Sequence, residues 1–90
     1  MPKYAVVVTF SYDAQVSVLL FNTREEALEF IKKDIVEEYE LDIEFGRPSQ
    51  YVISEDEGRA VLKTGYDTGV ENTEWRIGTV FDHKEVANGN

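Results

Sequence analysis

The side chains able to do chemistry in this chain are few in kind. His83 is the only histidine, with Asp82 beside it and Glu85 two residues on. Those types could make a metal ligand set or an acid–base pair. The stretch is terminal and runs out in Asn-Gly-Asn, so nothing supplies the outer contacts that orient a ligand. A solvated histidine is expected there. Glu55-Asp56-Glu57-Gly58 could gather a hard cation such as Ca²⁺. It lacks the alternating acidic loop and the downstream bidentate glutamate that such sites use, and a turn between strands is expected instead. Gly65 and Gly69 sit in no GxxxxGK[ST] context, so no phosphate loop is expected. The serines, Ser11, Ser17, Ser49 and Ser54, have no motif that places a histidine base beside them. Cysteine is absent, which excludes disulfides, thiolate nucleophiles and Cys-ligated zinc. The expectation is a chain with no catalytic residue, no cofactor and no metal.

Charge is more informative. Nine Lys/Arg stand against eighteen Asp/Glu, a net charge of −9. A basic surface for DNA, RNA or anionic membrane is therefore not expected. The excess is uneven: positions 23–45 hold three basic groups and nine acidic ones. Glu25, Glu29, Glu37 and Glu38 fall beside or opposite the apolar stripe of the expected helix, and Phe30 projects about 130–140° from its centre. Together they form a candidate interaction surface. Two readings stay open: a solvated face that keeps a small protein soluble, or an acidic surface for a basic partner, including a mimic of nucleic-acid phosphates. Lys32 and Lys33 interrupt the acids, and Glu29 with Lys33 makes an i,i+4 pair.

These residues must be positioned by a single domain, since 90 residues cannot hold two independent cores. Lys3–Phe10 and Val16–Phe21 are β-branched and aromatic runs joined by the short polar Ser11–Gln15, which reads as a β-hairpin. Thr23 with Glu26 three residues later fits a capping box. Leu28, Ile31, Ile35 and Tyr39 then recur at helical spacing, predicting a helix over Arg24–Glu40. Leu41, Ile43 and Phe45 alternate with acids and leave its end open. Gly46-Arg-Pro48 breaks the helix. Strands are predicted over Gln50–Ser54, Arg59–Thr64 and Thr73–Phe81, with Gly65–Asn72 as a longer loop. The order ββαβββ describes an α+β domain over positions 1–81, one helix on an antiparallel sheet, with a flexible tail over 82–90. Sheet order 2-1-5-4-3 puts the long strands in the centre without crossing connections. The longest early apolar run, Ala5–Val8, is far too short for a signal-peptide core or a membrane span, so the cytoplasm is the expected compartment.

One helix covers one face of such a sheet. Tyr4, Val6, Val8 and Phe10 share a face of the first strand, and Trp75, Ile77 and Phe81 line one face of the last, with Val80 opposite. The other face, assigned Val7, Leu19 and Phe21, is apolar enough to predict a homodimer or protein-partner surface.

Two resemblances attach to these segments. Thr23-x-Glu25-Glu26-Ala27-Leu28 after a strand pair resembles the HicB-type antitoxins over about the first third of the chain. Their Pro-Gly-Cys-like segment is absent, and Ser11–Gln15 differs. Tyr4-Ala-Val-Val-Val, Thr23-x-Glu-Glu-Ala-Leu-Glu-Phe, Tyr51-x-Ile53-Ser-Glu-Asp and Glu74-Trp-Arg-Ile-Gly78 are similar to small acidic proteins of gut anaerobic bacteria and their mobile elements. That resemblance implies a bacterial origin and carries no activity. The expected function is a non-enzymatic protein-interaction domain, self-associating or partner-binding. The alternative is an acidic inhibitor of a DNA- or RNA-binding machine.

Overall fold

The computed structural model describes residues 2–81. Its elements run β1 (Tyr4–Phe10), β2 (Asp13–Phe21), α1 (Arg24–Glu44), β3 (Ser49–Ser54), β4 (Arg59–Tyr66) and β5 (Gly69–Thr79). All neighbouring strands are antiparallel, in the order β2-β1-β5-β4-β3. The fold is the expected α+β arrangement, with α1 across one face. The expected tail and His83 lie outside the described residues.

The helix starts where the capping residues put it. Thr23 is extended, its Oγ1 accepts the Glu26 N–H at 3.1 Å, and the same hydroxyl donates to Glu26 Oε1. Glu25 and Glu26 occupy the first turn, where the helix dipole favours anions. The helix passes Glu40 and ends only at Glu44. Gly46, at φ 72°, donates to the Ile43 carbonyl, while Arg47 donates to that of Asp42. This double closure satisfies the last carbonyls through a left-handed residue that glycine adopts without strain. Leu41, Ile43 and Phe45 thus belong to the helix and its cap, not to an extended segment.

Asp42 explains why the helix runs this far. It is 6% exposed, and its Oδ2 accepts from Thr64 Oγ1 at 2.7 Å and Ser49 Oγ at 3.0 Å. Its Oδ1 lies 3.4 Å from Arg47 Nη1. The Arg47 guanidinium in turn stands over the rings of Phe45 and Tyr66, at 5.0 and 5.5 Å. One carboxylate therefore fastens the helix end to β3 and β4.

The other end is fastened at the Glu55–Gly58 turn. Arg24 Nη2 donates to the carbonyls of Glu55 and Asp56, and Lys32 pairs with Glu55 at 2.8 Å. Gly58, at φ 61°, takes a left-handed conformation that glycine adopts without strain, and an added Cβ would also crowd Ile77 Cβ at 3.2 Å. The acidic run is a strand–strand turn, as the sequence suggests. The Gly65–Asn72 segment is not a loop. β4 and β5 stay paired to Tyr66↔Gly69 and turn through Asp67 and Thr68 alone.

The core comprises Val6 and Val8 of β1, Ala27, Ile31 and Ile35 of α1, Ala60 and Leu62 of β4, and Trp75 of β5. Residues 27, 31 and 35 centre the buried helix face about 40° closer to Ala27 than the Leu28–Tyr39 stripe does, at 100° per residue. That rotation corrects two assignments. Phe30 is not an outward aromatic: it is half-buried, packs on the core, and its ring lies 5.4 Å from that of Phe21. Glu38 moves toward the sheet, beside Asp34.

The β1–β2 register corrects the sheet faces. Val6 pairs with Leu19, Tyr4 with Phe21 and Val7 with Val18, and directly opposed residues share a face. Leu19 and Phe21 therefore turn under the helix and pack against the core. Only Val7 of the three residues assigned to the dimer face lies on the open side. Phe81, expected in line with Trp75, follows the end of β5 and is exposed.

Candidate functional site

The open side of the sheet is built from the alternate residues of five strands. One row runs Val18, Val7, Arg76, Arg59 and Ser54, and the next runs Val16, Thr9, Glu74, Val61 and Val52. Leu20 and Ala5 continue the apolar end. The β2 members carry most of the bare surface: Val16 is 57% exposed, Val18 56% and Leu20 57%. Alternation dictates this outcome, because a strand whose odd residues face the helix must turn its even ones outward. The sequence reading missed these three residues. Phe21 was the available signal, since it stands two positions before the helix cap and is drawn under the helix, fixing Leu20 and Val18 as outward.

The other half of this side is charged. Arg59 and Arg76 are direct cross-strand neighbours, an arrangement that like charges disfavour. Glu74 bridges them, at 2.6 Å to Arg59 Nε and 3.3 Å to Arg76 Nε. With exposed Lys63, the open side carries three basic groups against one acid, on a chain of net charge −9. Thr9, Val52, Ser54, Arg59 and Glu74 line a shallow hollow of about 560 Å³. Among the described residues, no strand position on this side holds an aromatic ring.

The expected acidic surface is divided by the fold. Glu25, Glu29 and Glu37 are exposed on the outer side of α1. Lys32, not Lys33, is the lysine held in an ion pair. Asp34 accepts Trp75 Nε1 at 2.8 Å, which anchors the indole in the core. Glu38 lines a hollow of about 290 Å³ together with Phe10, Tyr12, Leu19, Asp34 and Trp75. Burial there, followed by the charges of Asp34, Asp42 and Glu37, pushes its carboxyl above the ordinary 4.5. The neighbours of the Tyr12 hydroxyl act alike: burial first, then Glu71, raise it above 10.0.

The Glu38 shift has a measurable sign. The folded state holds the Glu38 proton more tightly than the unfolded chain does, so this group costs stability as pH rises from about 4.5 through its folded value. Glu38→Gln is therefore expected to stabilise the protein at pH 7. The gain should shrink toward zero near pH 4, where both states of the parent are protonated. Urea midpoints of parent and variant at the two pH values check this. An equal difference at both would rule out the ionisation as its source.

Among the described residues, no cluster of three or more His, Asp or Glu side chains is placed to hold a metal ion. No helix among them is long and apolar enough to cross a membrane. The hollows hold carboxylates, hydroxyls and paired arginines, and the hydroxyls of Ser49, Thr64 and Thr23 that donate to carboxylates do so at the two ends of α1, to Asp42 and Glu26. Comparison of the chain with protein-family models, curated proteins and solved structures gives no match.

Proposed function

We propose that this chain is a non-enzymatic protein-interaction domain whose working surface is the helix-free side of its sheet. The carrying observation is the bare run Val16, Val18 and Leu20, each more than half exposed, continuous with Val7. Apolar surface gathered in one place is the usual mark of an interface. The basic Arg59–Arg76–Lys63 flank adds orientation to it, because an interface with one-sided charge discriminates among partners.

The test uses the purified protein as bait against a bacterial lysate, in parent form and as Val18→Lys and Leu20→Lys. Both substitutions fall at exposed positions and should leave folding intact, as a retained thermal transition would show. Expected is at least one protein, either the chain itself or another, held by the parent and lost with both variants. Identical captures by all three baits would defeat this reading.

A second reading has its own observation. Glu37, Glu38, Glu40, Asp42 and Glu44 crowd the C-terminal half of α1, and its last turn holds no basic residue. Anions are disfavoured at that end of a helix dipole. Of the five, Asp42 has a structural use. The remainder, with Glu25 and Glu29, suit a basic partner such as a nucleic-acid-binding protein that this chain would inhibit. Binding that weakens with salt, and weakens again when Glu25 and Glu37 are changed to Lys, would support it.

A further inference from the structure

The two edges of the sheet are protected very differently. β3 is six residues long, begins just after Pro48, and presents Ser49 and Gln50. The Tyr39 ring also stands against Tyr51, 5.1 Å away. Short length, a flanking proline and polar residues are the usual means of keeping an edge from pairing. β2 has neither the short length nor the flanking proline, and its polar residues, Asp13, Gln15 and Ser17, leave Val18–Phe21 wholly apolar. It is nine residues long, and from Ala14 to Phe21 it carries neither a charge nor a proline. The Gln15 N–H is occupied by Asp13 Oδ1 at 3.0 Å, which leaves Val16–Phe21 as the unprotected run.

We propose that β2 pairs antiparallel with β2 of a second copy of this chain, making one sheet continuous across a two-fold axis. This rests on the interaction reading above and names the occupant of its outermost strand. Among the places where two copies could meet, charge favours the edge, and the strand's own pattern favours a copy. Two chains of net charge −9 repel over most of their surfaces, whereas β2 is neutral from Ala14 onward. Stacking open side on open side would bring the Arg59, Lys63 and Arg76 groups of both copies together. Pairing along the edge keeps them apart.

The strand is also complementary to itself. With the axis at Val18, Val18 faces its own copy, and Val16 faces Leu20 of the second copy on both sides of the axis. All three pairs lie on the open side and are apolar, the type of cross-strand pair that stabilises sheets. Asp13, the single acid of β2, then falls beyond Phe21 of the other copy and opposes no acid. An isologous contact of this kind closes on itself as a dimer and leaves no further free β2 edge.

The absence of cysteine makes the test clean. Single variants Val18→Cys and Val52→Cys are treated with a short bis-maleimide, and masses of the parent, Val18→Lys and Val7→Lys are followed by light scattering against concentration. Val52 is exposed on the same side but on the opposite edge strand. The pairing requires a parent dimer, cross-linking of Val18→Cys about tenfold or more faster than of Val52→Cys, and dimerisation weakened about tenfold or more by Val18→Lys. Val7→Lys, one strand in from the edge, should leave the dimer in place, with Trp75 emission confirming its fold. A dimer that Val7→Lys breaks, with Val18→Cys no faster than Val52→Cys, would mean that the sheets stack face to face. That overturns edge pairing but leaves the interaction reading standing. A parent monomeric at high micromolar concentration, with equal cross-linking at both positions, also overturns edge pairing. The interaction reading is then decided separately by the lysate capture.

Discussion

Replacing Trp75 with alanine is expected to remove about 3–5 kcal/mol of stability, the range for truncating a buried indole. A domain of this size has about 5–13 kcal/mol in total at 0.05–0.15 kcal/mol per residue, so the variant should be partly or wholly unfolded at 37 °C. Trp75 is 1% exposed and sits in the core between β1, β4 and α1. Trp75→Phe separates two contributions. It keeps most of the ring volume but removes the Nε1–H that Asp34 accepts at 2.8 Å, and should cost about 1–3 kcal/mol for a bond to a charged acceptor and some lost volume. Circular dichroism during urea unfolding reads both variants. The parent should show blue-shifted tryptophan emission, moving to the red as urea unfolds it. Native emission already at the water-exposed position would refute the burial on which both expectations rest.

Asp42 should rank next. Asp42→Ala removes the acceptor of Thr64 Oγ1, Ser49 Oγ and Arg47 Nη1 at once. Hydrogen bonds to a charged group contribute about 1.5–3 kcal/mol each, and their losses within one network are not additive. A total near 3 kcal/mol is expected, since both hydroxyls can turn toward other acceptors and Arg47 can reach water. Asp42→Asn retains the shape and one acceptor oxygen, and should cost about half as much. Thr64→Val and Asp42→Ala should couple strongly in a double-mutant cycle. If the two effects simply add, the network has been misread.

The strand order and the single covering helix were legible in the sequence because they follow from constraints that act along the chain. Thr23 with Glu26 marks the helix start, Gly46-Arg-Pro48 marks its stop, and the hairpins leave few uncrossed ways to close a sheet. The faces of β2 were not legible. Both of its alternating sets, Val16/Val18/Leu20 and Ser17/Leu19/Phe21, are apolar enough to be buried, so periodicity alone does not choose between them. The turn chooses. β2 begins at Asp13, which pairs with Phe10 across Ser11 and Tyr12 alone, where the Ser11–Gln15 connection read from the sequence would pair Phe10 with Val16. That change of odd for even partners puts every β2 side chain on the face opposite the one expected, and the irregularity between Thr9 and Phe10, a shift of two residues, leaves the faces as they are. The helix end was hidden for a related reason. Leu41, Ile43 and Phe45 mimic a strand pattern, and the force holding them helical is the bond from Asp42 to residues on β3 and β4. The Glu38 environment likewise depended on a helix rotation of about 40°, too small for the spacing of apolar residues to resolve.

The seam between β1 and β5 has a consequence for how the chain reaches this state. β1–β2 is one local hairpin, and β3–β4–β5 is a local meander. The pairing of Tyr4 with Thr79 and Phe10 with Thr73 joins them through the most distant parts of the described sequence. Closing so large a loop is entropically costly, and nothing repays it until both pieces are largely formed. The seam is therefore expected to close late, with α1 as the tether that keeps the pieces within reach. Until it closes, Val6, Val8 and Trp75 lack their shared core, and four strand edges stand open in place of two. The acidic α1 is then expected to reduce encounters between chains while those edges are bare, because like charges repel.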